Sequence, residues 1–153
     1  MVFQWDFSGA EQQFQRAIDL NPSYPYAHQW YAEVLWATGR YEESLKEIRE
    51  ALELEPFTPV LNFGLGISLM FGKHISEAEQ VYRSDLGLDG KLSRACQHPD
   101  NLWSLHGLHE CLVRRGEKVE TALIKQRLDL AQARAENPIR ASCFCRRMDM
   151  AAA

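Results

Sequence analysis

Apolar and polar positions follow the 3.6-residue beat of amphipathic helices, and that beat recurs every 34 residues through the first ninety positions. Phe7, Tyr41 and Ile75 share one register, as do Ala10, Ser44 and Ala78. Phe14, Ile48 and Tyr82 share another, followed by Ile18, Leu52 and Leu86 and by Leu20, Leu54 and Leu88. Pro22 and Pro56 close two copies, and Gly90 stands where a third proline would fall. Ala32 with Gly66, and Leu35 with Leu69, keep the same step. A fixed period of this size means stacked supersecondary units.

The pattern predicts helix after helix, with no strand-like alternation of useful length. The first helix runs from about Asp6 to Leu20 and stops at Asn21-Pro22. The second begins near Pro25, whose fixed φ suits a first helical turn, and ends at Thr38-Gly39. A third spans Tyr41 to Leu54, with Glu42, Glu43 and Lys46 pairing on its solvent face. The fourth, Thr58 to Phe71, is apolar nearly all round, which suits either burial or the lining of a filled groove. The fifth runs from Ser76, read as its N-cap, to Leu86. The period then breaks in an irregular insertion, 87–99. Helical pattern resumes at Asp100, stops at Arg115-Gly116, and returns from Glu117 to Glu136 before Asn137-Pro138.

The organisation read from this is a half repeat over 5–22, repeats over 23–56 and 57–90, the insertion 87–99 and a degenerate repeat over 100–138. Together they make one helical repeat domain, 1–138, followed by a tail, 139–153, without periodicity. The chain opens on the second helix of a pair, so Phe3, Trp5, Phe7 and Phe14 are expected to leave an apolar patch at that end. That predicts the C-terminal piece of a longer array, or self-association through the N-terminal half repeat.

Composition narrows the partner class. A formal charge of −4 argues against nucleic acid, which calls for a basic face. No apolar run approaches the roughly 20 residues that span a bilayer. The start MVFQWDFSG has no basic region followed by an apolar stretch, so no secretory signal is read and the expected location is cytoplasmic. Four unevenly spaced cysteines fit a reducing compartment better than a disulfide framework.

The stretch YAHQWYAEVLWATGRYEESLKEIREALELEP, with Gly39, Tyr41, Ala51 and Pro56, resembles the tetratricopeptide repeat family. LNFGLGISLMFGKHISEAEQVYR matches again through Gly66, Leu69, Ala78 and Tyr82. NLWSLHGLHECLVRRGE looks like a first helix of a further unit, with Trp103 and Gly107 in the expected places. The resemblance implies an all-α fold, a right-handed superhelix or α-solenoid of three to four antiparallel helix pairs. It also implies that the first helix of each pair lines a concave face where partner segments lie. On this chain that face would present Tyr26, Gln29, Glu33 and Trp36, then Val60, Phe63, Ile67 and Met70, then Asn101, Ser104 and Leu108. One family subclass grips a C-terminal carboxylate with Lys, Arg and Asn; here Phe63 and Ile67 stand where such groups would be needed.

The function expected is therefore a non-catalytic protein–protein interaction module or scaffold. Tyr26, Gln29, Glu33, Trp36, Phe63, Ile67 and Met70 are its contact residues, and its partner is a protein or peptide offering an apolar segment or amphipathic helix. The competing reading is that the same face is covered by the chain's own last helix or by a neighbour. A different class, a metal-binding or thiol-redox module, would use His106 and His109, one turn apart, with Cys143 and Cys145. Cys96, His98 and Cys111 lie in the same third of the chain, but the spacing matches no closed zinc motif. No phosphate loop or nucleophile elbow is present, and no cofactor is expected.

Overall fold

A computed structural model describes residues 6–136, and every described element is helical. Helix α1 is Phe7–Leu20, α2 Pro25–Ala37, α3 Tyr41–Leu54 and α4 Pro59–Phe71. Then come α5 Ile75–Asp85, a single 3-10 turn at Arg94–Cys96, α6 Leu102–Arg115 and α7 Lys118–Arg134. The local signals account for most boundaries. Asp6 caps α1 by accepting the Gly9 N–H at 2.8 Å. Pro25 and Pro59 open α2 and α4, where the missing N–H costs nothing. Gly116, at φ 76°, ends α6 in the left-handed conformation. Two ends differ from expectation. Helix α5 starts at Ile75 with His74 in the cap position, so Ser76 lies inside the helix and does not cap it. Helix α7 ends at Arg134 and stops short of Glu136.

The chain divides into two compact units, one up to Gly72 and one from Lys73. In the first, α2 packs on α1, α3 and α4, and α3 packs on α4. Its centre is Ala32, Ile48, Ala51 and Leu61, with Leu52 and Leu65 against them. Small residues let the backbones approach there. Buried Ser44 donates to the Ala32 carbonyl at 2.9 Å and shares a 3.0 Å hydrogen bond with Ser68, so both hydroxyls are satisfied. In the second unit α6 packs on both α5 and α7. Tyr82, Leu105, Leu108, Cys111 and Leu112 are fully buried. A Cβ on Gly107 would run into the Tyr82 ring, so the close α5–α6 approach needs glycine at that position. No residue of α1 is fully buried, and Phe7 is 38% exposed; Phe3 and Trp5 lie outside the described residues.

Candidate functional site

Helices α2 and α4 occupy equivalent places in the 34-residue register, and they touch. Helix α4 carries no charged residue, and α2 carries Glu33 and no Lys or Arg. Of the sequence-predicted contact residues, Tyr26, Glu33, Trp36 and Phe63 are partly exposed. Gln29, Ile67 and Met70 are 2%, 4% and 2% exposed, so they lie beneath the surface. The physical reason is the all-round apolarity of α4: burying an Ile or Met side chain gains about 1.5–3 kcal/mol, more than display returns. Trp36 stacks on Phe71 at 4.9 Å and 6°, and Tyr41 stacks on Phe71 at 6.3 Å and 10°. These ring contacts fix the end of the face. Tyr26 tilts against Tyr24 at 5.7 Å.

Glu33 is the electrostatic singularity of this face. Its carboxyl accepts one hydrogen bond, from Gln29 Nε2 at 3.1 Å, and forms no ion pair among the described residues. Burial raises its pKa from the ordinary carboxylate value, and the Gln29 hydrogen bond opposes that shift. Gln29 Oε1 is itself buried without a partner. An unsatisfied buried amide oxygen costs about 1–3 kcal/mol, so the amide is held against Glu33 at the expense of its own acceptor. His28, on the same helix, serves another purpose. Its Nδ1 lies 2.8 Å from Glu47 and its Nε2 3.0 Å from the Pro22 carbonyl, which ties the α1–α2 turn to α3.

The C-terminal histidines and cysteines do not converge in the described residues. His106 sets Nε2 at 3.0 Å from Gln132 Nε2 on α7. Burial, helped by Lys125 and His106, lowers the His109 pKa. Cys111 is fully buried and its thiol is pushed up to about 12 by that burial, the state of an inert small hydrophobe. His98 bonds Asp85 at 2.9 Å, and Cys96 accepts from Ser93 Oγ at 3.2 Å. No three His, Cys, Asp or Glu side chains of the described residues stand together as metal ligands. Cys143 and Cys145 lie outside those residues. The third predicted groove set is also structural: Asn101 caps α6, Leu108 is core, and Ser104 is buried.

Sequence reasoning missed Asp85. It is 1% exposed, accepts from His98 Nδ1 on one oxygen, and on the other from Asn101 Nδ2 at 3.0 Å and Ser104 Oγ at 2.5 Å. Ser, His and Asp meet here, yet Ser104 and His98 each bond the carboxylate and not one another, so no nucleophile–base contact exists. The signal was in the repeat register, where Ala17 and Ala51 precede Asp85 at the same step. Glu79, 5% exposed, was missed as well; it receives Arg83 at 2.8 Å and Arg115 at 2.5 Å, and Arg83 also holds Glu120 at 2.6 Å.

Residues 4–62 match the family model described as tetratricopeptide repeat. Among curated proteins no sequence relative matches. The solved structure of a MamA RS-1 ArsTM double mutant is similar in fold, with a TM-score of 0.71 over 86% of this chain and 70% of that one at 15% identity. Helix pairs and fold likeness agree on an all-α fold of the α-solenoid class, and residues 4–62 carry the match to the tetratricopeptide-repeat family.

Proposed function

We infer that this protein is an interaction module that takes a segment of another protein on the face formed by α2 and α4. The observation that carries the reading is the set of partly exposed rings, Tyr26, Trp36 and Phe63, on two adjacent helices without Lys or Arg, together with a Glu33 carboxyl that has no ion pair among the described residues. Ile67 and Met70 form the apolar floor, and Gln29 orients Glu33. An apolar side chain of the partner would bury against Phe63 and Trp36, where rigid rings give contact area at low entropic cost. Phe63→Ala is expected to weaken a verified partner by about 1–3 kcal/mol, the scale of a modest hot spot. Isothermal calorimetry checks it, and an unchanged Kd removes the face from consideration. No described helix is long and apolar enough to cross a membrane.

A second reading rests on α1, which buries no residue completely and exposes Phe7. An uncovered flank of this kind supports self-association through the N-terminal half repeat. Light scattering across a hundredfold concentration range separates the two, since the groove reading predicts constant mass.

A further inference from the structure

Helices α2 and α4 carry one acid between them, Glu33, and it has no counter-ion among the described residues. Two other carboxylates of the same unit do have a cation: Arg40 takes both Glu11, at 2.5 Å, and Glu43, at 2.6 Å. Among the described residues Glu33 accepts from the Gln29 amide, and neither α2 nor α4 supplies a lysine or arginine. A partly buried carboxylate loses hydration that a cation would replace. The amide beside it is 98% buried by its 2% exposure, and it spends its N–H on Glu33 while its oxygen stays unpartnered. That is an arrangement set to hold a carboxylate in one orientation and to leave its second oxygen available.

We propose that the partner segment carries a lysine or arginine that binds the Glu33 carboxylate, flanked by apolar side chains that pack on Trp36 and Phe63. This deepens the groove reading and rests on it. The charge preference is the reverse of carboxylate capture: the face selects a cationic side chain and rejects an acidic segment, because a second carboxylate here would face Glu33 with no positive group on either helix. Arginine suits the site best, since its weakly hydrated planar head can bond the carboxylate and lie on a ring at once. Gln29 acts as a positioning residue, holding Glu33 without touching the partner.

The test is a random 16-residue peptide library displayed on phage and selected against the whole chain. Enriched peptides are then synthesised and titrated by fluorescence anisotropy against the wild type, Glu33→Gln and Phe63→Ala. The expected result is enrichment of Arg or Lys beside Leu, Ile or aromatic residues, with about tenfold or greater loss on Glu33→Gln. Replacing the peptide's basic residue by Gln should give a similar loss, and the two losses should not add. Salt should weaken the wild-type complex and leave the Glu33→Gln complex little changed. Peptides that depend on Phe63 but lack a basic residue, or ignore Glu33→Gln, overturn this inference while leaving the groove standing. Peptides indifferent to Phe63→Ala, or no enrichment at all, overturn both. Circular dichroism on each variant confirms that the helices are intact.

Discussion

The two compact units carry the same 34-residue register, but they treat it differently. At the position of Ala17 and Ala51 the second unit has Asp85, buried to 1%. At the turn where the first unit uses Gly39, with φ 83°, the second uses Lys73, with φ 66°. Where Ile48 Cδ1 would lie 3.0 Å from a Cβ on Gly64, the second unit sets the rigid Tyr82 ring against Gly107. The first unit is held by small and apolar residues; the second adds buried carboxylates, Glu79 and Asp85, each with several donors. The lesson is that an alanine position accepts an aspartate only when added chain brings donors. The insertion 87–99 does this through His98, and its end leads to Asn101 and Ser104. Insertion and aspartate are one feature, and neither makes sense alone.

The sharpest way to break that comparison is Asp85→Ala, which restores the residue the repeat has elsewhere. A repeat-based expectation is stabilisation. The structure predicts a loss of about 3–5 kcal/mol, because buried Ser104 and the partly buried His98 and Asn101 lose their common acceptor. Urea unfolding followed by circular dichroism decides between them, and a neutral or stabilising result would show that the donors are solvated. The next effect is steric. Gly107→Ala should cost about 1–3 kcal/mol by overpacking against Tyr82. Gly64→Ala meets only the end of Ile48 and gains helix propensity, so it should stay within about 1 kcal/mol of wild type.

A smaller effect of opposite sign comes from the turn. Lys73 holds a left-handed conformation that glycine adopts freely, so Lys73→Gly should stabilise by about 1 kcal/mol. An unchanged midpoint would mean the lysine side chain contributes as much as its backbone strains. The smallest effect is at Glu33, where burial raises the folded pKa. The folded state then holds its proton more tightly than the unfolded chain. The resulting stabilisation is complete below the unfolded carboxylate pKa and disappears as pH rises through the raised folded value. Glu33→Gln should therefore raise the melting temperature at neutral pH and lose that advantage in acid. Equal gains at both pH values would place the cause outside ionisation.

The period, the helix order and most helix ends were legible in the chain, because they rest on local chemistry. Pro25, Pro59 and Gly116 act within one turn of themselves, and a 34-residue step needs only residue types to be seen. Helical spacing also sets which side chains of α2 and α4 share a side, and that much can be read from the chain. What the spacing could not tell is depth. Ile67 and Met70 lie under the surface while Phe63 reaches it, and that follows from which neighbours pack over each one. That Glu33 has no ion pair among the described residues is likewise tertiary, for it depends on which elements pack beside α2. Asp85 shows the division most clearly. Its departure from the alanine register stands in the sequence, but its three donors lie 13, 16 and 19 residues away and are gathered only by the folding of the insertion. Local preference sets elements over one or two turns of chain; burial and charge pairing depend on contacts whose separation along the chain carries no fixed period.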